Sequence, residues 1–449
     1  MRYHVKVAAK KKIISTTAIV AGVLMFSSSV DAQTAPPTNS WDYDTVVGGN
    51  VGKDTSVAGI TDITVTGGNG YVAGNADIYN GHTVNVTGDT AGSTFAYRDN
   101  RDNIQSTLDG NLNSNMNVVI IDRDGLWFTS DSVIDVNGLI ATTGDVAKND
   151  LMNGDNVLKI KNINPNSMII NNGQITAKDF AVLAGGNVWN TGTIVTEAGG
   201  QILLAAAEQV KMVSGRHGRD RFKIDLREGG HVINTGIMDA GNGGLAAIVS
   251  PFAINNGIIR AKAGTVAIAA GETVTLDMYG DGLVELAVDG ELADALITNG
   301  GAIAAKGGVV NITAKAAKNT VDNLINNEGI ITASSATVSG GKIILGGGDS
   351  GTIRNAGEIR TSAGGSVDVN GERFLQESAS SAPIPPTVPA IKSGGANINI
   401  ATAGDVVIDA GNVNAQGGNV AITNDGTFTS EANAIRTRGT GTITLTQNE

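Results

Sequence analysis

Cysteine is absent from the 449-residue sequence. This absence excludes disulfide scaffolds, cysteine-ligated zinc, iron–sulfur clusters and thiol nucleophiles. The four histidines show no metal-ligand spacing, and the chain contains no phosphate-binding loop, zinc-protease motif or nucleophile elbow. We therefore predict that the protein has no cofactor and no metal site, and that it is not an enzyme.

Charge and long apolar runs are also scarce. Charged residues make up 16% of the chain, and the formal net charge is −12. An acidic chain lacks the Lys/Arg excess that neutralises phosphates, so sequence-independent nucleic-acid binding is not expected. The same charge disfavours tight docking on an anionic membrane surface. Beyond residue 32 no apolar run reaches 18 residues, so we expect no stable membrane insertion of the mature chain.

Glycine is abundant, with 61 residues, whereas aromatic residues make up only 4%. Together with frequent Val, Ile, Thr and Asn, this composition favours many short strands closed by turns. One phrase, Asn-x-Gly-x-Ile or a close variant, recurs along the chain. Its copies occupy residues 171–175, 190–194, 234–238, 255–259, 299–303, 327–331 and 355–359, so their starts differ by 19, 44, 21, 44, 28 and 28 residues.

These spacings fit one or two rungs of a coil of about 20 residues with inserted loops, which is typical of a solenoid. We predict an all-β fold, a right-handed parallel β-helix with extra-helical loops or hairpins. Inward-pointing side chains of successive rungs stack on their equivalents in such a coil, and asparagines form hydrogen-bonded ladders at its turns. The repeated Asn and Gly are therefore interpreted as turn and stacking residues.

Two segments depart from the repeat. Residues 214–230 concentrate basic side chains and are predicted to leave the shaft as a loop or hairpin. The segment is a surface insertion or, alternatively, a contact for an anionic glycan or a partner. Residues 378–395 are rich in Pro and Ser, and we predict a linker or external loop because proline cannot donate to a β-ladder.

The N-terminus has the organisation of a Sec signal peptide. Five Lys/Arg residues precede an apolar run over residues 13–26, which is short for a membrane span. We predict that residues 1–32 form the signal peptide and that cleavage occurs between Ala32 and Gln33.

The segment from Ser106 to Val146 carries an ordered set of motifs. A Ser/Gly/Leu spacing comes first, then an apolar run, a four-residue turn, an aromatic residue, and a second run that reaches Gly-Leu-Ile-Ala-Thr. This order resembles the secretion domain of filamentous-haemagglutinin-like exoproteins, which carry a two-partner secretion (haemagglutination activity) domain. The residues that carry the resemblance, and hence the candidate secretion motif, are Asp122, Arg123, Asp124, Gly125, Phe128, Asn137, Gly138 and Leu139.

The family has Asn-Pro-Asn-Gly at the turn, where this chain has Asp122-Arg123-Asp124-Gly125. Aspartate replaces asparagine in turns because both side chains accept hydrogen bonds from nearby backbone N–H groups. The missing proline removes rigidity. A second stretch, Asn164-Pro165-Asn166-Ser167, lies elsewhere in the pattern and is interpreted as an ordinary turn.

The resemblance implies a secretion domain over residues 33–280. The repeat pattern predicts a β-helix shaft over 281–377 and further strand repeats over 396–449. It also implies an outer-membrane β-barrel transporter as partner and secretion to the surface or medium of a Gram-negative bacterium. Outside the cell the chain would act as an adhesin on a glycan or protein receptor. Two alternatives remain open at this point, namely a self-associating matrix protein and a glycan-acting β-helix enzyme.

Overall fold

The structure, a computed structural model, describes residues 38–213, 221–277, 285–316, 324–333, 341–349, 351–378, 389–437 and 439–448. The signal peptide predicted over residues 1–32, with its cleavage site between Ala32 and Gln33, lies outside these residues. Within the described part of the chain, no helix is long and apolar enough to cross a membrane.

A three-faced parallel coil makes up most of the described chain, with strands numbered in chain order. The first face contains β3 (Thr83–Gly88), β6 (Asn111–Ser114), β15 (Thr193–Thr196), β20 (Ile237–Asp239), β23 (Ile258–Arg260), β28 (Ala302–Ala304), β31 (Ile330–Ala333), β34 (Glu358–Ala363), β37 (Ala390–Gly394), β40 (Asn412–Ala415) and β43 (Ile435–Thr437).

The second face follows the first in nearly every rung. It contains β4 (Thr94–Asp99), β7 (Asn117–Ile121), β16 (Gln201–Ala206), β21 (Leu245–Val249), β24 (Thr265–Ala270), β29 (Val309–Ala314), β32 (Lys342–Gly346), β35 (Ser366–Gly371), β38 (Ile398–Thr402), β41 (Val420–Asn424) and β44 (Ile443–Gln447). Three long strands bend across both faces and join them into one sheet, namely β2 (Ile60–Gly74), β9 (Val133–Thr142) and β13 (Gln174–Gly185).

The third face is a separate twelve-stranded parallel sheet. It contains β5 (Ser106–Leu108), β8 (Leu126–Phe128), β12 (Met168–Asn171), β14 (Asn187–Asn190), β19 (His231–Asn234), β22 (Phe252–Asn255), β27 (Leu296–Asn299), β30 (Ile325–Asn327), β33 (Thr352–Asn355), β36 (Arg373–Gln376), β39 (Val406–Ile408) and β42 (Phe428–Ser430). The predicted parallel β-helix is thus confirmed.

Alternation of buried and exposed side chains explains why these short segments form strands. In β38, for example, Ile398, Ile400 and Thr402 are buried, whereas Asn399 and Ala401 are exposed. One face of each strand therefore enters a common apolar core that runs through the coil. A single rung cannot bury that face alone, so the rungs are stable only when they are stacked.

An asparagine ladder occupies one position of the third face. Each side-chain amide donates from Nδ2 to the side-chain carbonyl of the next rung, over N···O distances of 2.7–3.3 Å. The ladder comprises Asn171, Asn190, Asn234, Asn255, Asn299, Asn327 and Asn355 and ends at Gln376. All seven asparagines are buried, which confirms the predicted role of the repeated Asn.

A glycine column lies at the turn two residues after the ladder, where the backbones of successive rungs come into contact. Its members are Gly173, Gly192, Gly236, Gly257, Gly301, Gly329 and Gly357. A Cβ added at Gly192 would lie 2.2 Å from the carbonyl oxygen of Gly173. The repeated glycine is therefore required by the close stacking of turns, and not only by turn geometry.

The N-terminal end of the described coil is covered by an antiparallel strand, β1 (Thr45–Asp54), which pairs with β2. Trp41 is buried beside this strand and stacks on Tyr97 at 4.5 Å between ring centroids. The Trp41 indole N–H donates to the carbonyl of Ala76 at 2.8 Å, so the large ring is buried without an unsatisfied donor.

An extra-helical sheet of six strands lies outside the coil. It contains β10 (Asp145–Val146), β11 (Val157–Lys161), β17 (Gln209–Val213), β18 (Arg221–Asp225), β25 (Thr273–Asp277) and β26 (Glu285–Asp289), and a short helix, α1 (Lys148–Met152), connects the first two strands. Neighbouring strands pair in antiparallel order. Its inner side chains belong to the same apolar cluster as the coil.

Of the loop or hairpin predicted over residues 214–230, residues 214–220 lie outside the described part, and Arg221–Asp225 forms β18, which pairs in antiparallel order with β17. Of the Pro- and Ser-rich segment predicted over 378–395, residues 379–388 are likewise not described, and Ala390–Gly394 forms β37 of the first face. This strand pairs with β34 and β40, and β24 pairs with β29. The described residues of the segments predicted over 33–280, 281–377 and 396–449 therefore share one coil.

Candidate functional site

The structure places Phe128 in β8 of the third face and groups the other predicted motif residues at two opposite ends of the second face. The turn formed by Asp122, Arg123, Asp124 and Gly125 follows β7, whereas Asn137 and its neighbours precede the half of β9 that stacks on β7. Five residues of extended chain separate these ends, which corresponds to about 17 Å. The predicted set is therefore two separate surface features, and not one pocket.

In the first feature, Asp122 holds the turn together. Its Oδ1 accepts a hydrogen bond from the Asp124 N–H at 2.8 Å, and the Asp122 side chain is buried. Gly125 has a φ of 129°, a conformation that a side chain would strain. Phe128 is fully buried in register with Asn171, the first member of the asparagine ladder. Arg123, in contrast, is 57% exposed.

The Asn164–Ser167 turn of the next rung lies directly against this turn. The carbonyl oxygen of Arg123 accepts hydrogen bonds from Asn164 Nδ2 at 2.8 Å and from Ser167 Oγ at 2.5 Å. The Asn164–Ser167 stretch was predicted to be an ordinary turn, with no contact to the first one specified. The structure shows that the Asn-Pro-Asn-Ser stretch restrains the neighbouring turn that lacks the proline.

A polar cluster of buried and half-buried residues lies behind the turn, and we call it the Asp122 cluster. Its members are Asp77, Asp99, Arg101, Ser106 and Asp122. Arg101 forms a two-bonded ion pair with Asp77, at 2.7 and 3.0 Å, and a further bond to Asp99 at 2.8 Å. The cluster joins rungs that are distant in sequence, and it contains three carboxyl groups against one guanidinium.

Ser106 lies between two of the carboxyl groups. Its Oγ is 2.6 Å from Asp122 Oδ2 and 3.1 Å from Asp99 Oδ2. A hydroxyl donates only one proton, so both contacts are hydrogen bonds only when one carboxyl carries a proton. The pKa of Asp122 is raised to about 6, mainly by burial and to a smaller extent by the charge of Asp99, against hydrogen bonds from Ser106 and Asp124 that lower it. A protonated Asp122 donates to Ser106, which in turn donates to Asp99.

Asp122→Asn is expected to change how stability depends on pH. A folded pKa above the unfolded value near 3.9 means that the folded chain binds the proton more tightly. The stabilisation of the folded state by Asp122 is thus fully present below about pH 4. As the pH rises through 6, stabilisation on the order of 3 kcal/mol is lost. The side-chain carbonyl of an asparagine at position 122 can still accept from the Asp124 N–H, and its amide can donate to Ser106 Oγ. The Ser106 N–H keeps its hydrogen bond to the Gly125 carbonyl oxygen at 3.1 Å.

We therefore expect Asp122→Asn to unfold at higher denaturant concentration than the parent at pH 8, with the difference shrinking at pH 4. Denaturant titrations at a series of pH values measure this difference. Asp124→Asn, which removes the same charge two residues away, is the matched control and should show no such pH-dependent gain. Parallel stability curves for Asp122→Asn and the parent would contradict the protonated bridge.

The second feature is the corner of β9 at Asn137 and Gly138. Asn137 Nδ2 donates to Asn117 Oδ1 and to Asp179 Oδ2, each at 2.8 Å, so its side chain joins three rungs on the outside. A Cβ at Gly138 would lie 2.6 Å from the Phe180 ring, which explains the glycine. Leu139 is fully buried in the core. Of these three motif residues, Asn137 alone presents a polar side chain on the outside.

Sequence reasoning identified Ser106 and Asp122 but missed Asp77, Asp99 and Arg101. A usable signal existed, since residues 98–102 form a compact run of charge in a chain with only 16% charged residues. The cluster offers no metal site, and no group of three metal-ligating side chains occurs among the described residues.

Comparison with known proteins identifies relatives of this coil. No family model matches the sequence. The heme/hemopexin-binding protein of Haemophilus influenzae is 34% identical over 107 residues, which is 22% of this chain and 12% of that protein. The filamentous hemagglutinin secretion domain aligns over 90% of this chain and 100% of its own at 12% identity, with a TM-score of 0.28 that carries no argument about the fold.

The crystal structure of the HMW1 secretion domain from Haemophilus influenzae is a stronger match. It superimposes with a TM-score of 0.60 at 20% sequence identity, covering 89% of this chain and 98% of that domain. The resemblance predicted from the motif residues is thereby confirmed at the level of the fold. The described chain has the β-helical fold of the HMW1 secretion domain.

Proposed function

We propose that this chain is an exported exoprotein that an outer-membrane β-barrel transporter secretes, and that it acts outside the cell as an adhesin without catalytic activity. The observation that supports export most directly is the match of 98% of the HMW1 secretion domain to this chain. The chain covers only 12% of the heme/hemopexin-binding protein that it matches, so heme or hemopexin binding is not carried over.

The stacking of the coil suits passage through a barrel. Each parallel strand pairs only with the rungs before and after it, so a rung that has emerged provides the edge on which the next one folds. Folding of the emerged rungs on the outer side of the membrane then opposes movement of the chain back through the barrel. This would favour outward passage without nucleotide hydrolysis. The covered N-terminal end, with β1 and Trp41, supplies a first stable edge.

The two surface features are the proposed contacts for the transporter. Arg123, Asp124 and Asn137 are the motif side chains that reach the outside with polar groups, while the buried members hold them in place. Asp99 and Asp122 are buried behind the turn and face no substrate, which supports a structural role for these carboxyl groups and not a glycosidase pair.

A secretion assay tests the proposal. The chain is expressed in a Gram-negative host with and without the outer-membrane barrel gene that neighbours its own, and periplasm, cell surface and medium are assayed. We expect delivery to the surface or medium only with the barrel. Arg123→Glu should reduce the secreted fraction several-fold, whereas Arg260→Glu, an exposed arginine on the coil, should not.

Two outcomes would count against export by this route. Periplasmic retention with and without the barrel would contradict it, and so would equal delivery in both strains. Adhesion is measured next, as binding of the secreted chain to host cells and as aggregation of the producing bacteria. Assembly of purified chains into filaments, without cell binding, would favour a matrix protein instead.

A further inference from the structure

A row of lysines crosses the outer surface of the extra-helical sheet. Lys159 of β11 lies directly opposite Lys211 of β17, and Lys211 lies directly opposite Lys223 of β18. Neighbouring Cβ atoms in such pairs are about 5 Å apart. The side chains of Lys159 and Lys223 are 37% and 56% exposed, and Lys211 is also exposed. We call these three residues the lysine row.

The three strands that carry the row are basic in a chain whose net charge is −12. Strands β11, β17 and β18 together carry five Lys/Arg residues and a single acidic residue, Asp225. The flanking strands β10 and β25 place Asp145 opposite Lys161 and Asp277 opposite Arg221. The basic charge that remains without an acidic residue opposite it is therefore the lysine row itself.

This arrangement is unfavourable for the isolated sheet, because like charges directly opposite each other repel across the strands. The nearby acidic groups relieve it only in part. Asp150 is 3.3 Å from Lys159 Nζ, and Asp225 is 3.9 Å from Lys223 Nζ. Lys211 lies in the middle with a lysine on each side. Burial of the alternate side chains, such as Met212 and Phe222, explains why these positions face outward but not why lysine occupies them.

The geometry points to an anionic ligand that is narrow and linear. We propose that the lysine row binds an acidic polysaccharide through its sulfate or carboxylate groups. The strand spacing of roughly 4.8 Å is close to the length of one sugar unit, so successive units of a chain that crosses the strands meet successive lysines. Lysine is a point charge on a flexible stem, which suits such groups without demanding a fixed orientation.

A broad anionic surface fits less well. The screening length at physiological ionic strength is about 8 Å, so a thin chain on the row interacts mainly with the local lysines. A bilayer or a nucleic-acid duplex would also meet the acidic remainder of the protein. The outward residues of β17 and β18 include no aromatic side chain that could insert into a membrane.

Direct binding to purified protein tests the proposal independently of the export route. The probes are dextran sulfate, carboxymethyl dextran and unmodified dextran of equal length, with anionic phospholipid vesicles as a fourth arm. We expect at least one charged dextran to bind and the unmodified one not to bind. The slope of log Kd against log salt concentration should be about 2 to 3, one per engaged lysine.

Charge reversal locates the site. Lys211→Glu combined with Lys223→Glu should weaken binding by about tenfold or more, and the two Gln substitutions by a smaller factor with less risk to folding. Lys262→Glu combined with Lys306→Glu makes the same charge change at exposed positions of the coil and should alter Kd less than about twofold. An equal loss in this control would overturn the proposal, as would binding to vesicles but to neither charged dextran.

Discussion

Asn255→Ala is expected to lower the free energy of unfolding by about 2–5 kcal/mol, because it interrupts the asparagine ladder at its centre. Asn255 is fully buried, accepts from Asn234 Nδ2 at 2.8 Å and donates to Asn299 Oδ1 at 2.8 Å. Alanine leaves both neighbours with a buried polar group that has lost its ladder partner. Each such group costs about 1–3 kcal/mol, and water cannot reach the tightly stacked position.

Asn255→Asp should be worse still. The carboxylate retains the bond from Asn234 but places a charged acceptor against the Asn299 carbonyl oxygen in a site closed to solvent. Asn256→Ala is the matched control, because the adjacent side chain in the same turn is exposed. Denaturant titration of the parent and the three variants measures the effect. Equal midpoints for Asn255→Ala and Asn256→Ala would show that the ladder contributes little.

Gly192→Val is expected to prevent the stacking of the coil at the rung that contains it, with a loss of about 3 kcal/mol or more. A Cβ at Gly192 would lie 2.2 Å from the Gly173 carbonyl oxygen and 2.7 Å from the Asn172 carbonyl carbon. Both are backbone atoms held by ladder hydrogen bonds, so neither can turn aside as the end of a side chain would. Even Gly192→Ala should therefore be strongly destabilising.

Gly52→Ala is the control for this series, since a Cβ there has a single neighbour, the Thr64 carbonyl oxygen at 3.9 Å. We expect Gly52→Ala to match the parent in denaturant midpoint and in resistance to proteolysis. Gly138→Val should resemble Gly192→Val, because its Cβ would meet the buried Phe180 ring. Secreted yield should fall with stability in both, and an unchanged midpoint for Gly192→Ala would contradict the role of the glycine column.

Much of the coil could be predicted from local chemistry. The Asn-x-Gly-x-Ile phrase predicted strand, turn and stacking together because the ladder and the glycine column repeat with the rung. Each rung packs against its neighbours in the same way, so a repeat in the sequence produces a repeat in the structure. The basic segment over residues 214–230 was also predicted to leave the shaft, and β18 within it belongs to the extra-helical sheet.

The candidate site was less accessible to this reasoning. Asp122 and Asn137 were both singled out, but the sequence did not indicate that they lie at opposite ends of one face. The bond network from the Arg123 carbonyl to the Asn164 turn was also missed. A family motif identifies which residues matter as a set, whereas their mutual distance depends on how far each strand extends before it bends.

The sequence alone was sufficient to predict the features that repeat in each rung. These are the parallel strands, the buried asparagines and the glycines at close backbone contacts. Only the tertiary structure decided which non-repeating residues meet. Asp99 and Asp122 converge on Ser106 from separate rungs, and Lys159, Lys211 and Lys223 align on strands 52 and 12 residues apart in sequence. The physical reason is that loop lengths and strand register determine which residues of different rungs meet. The local sequence repeat contains no information about either.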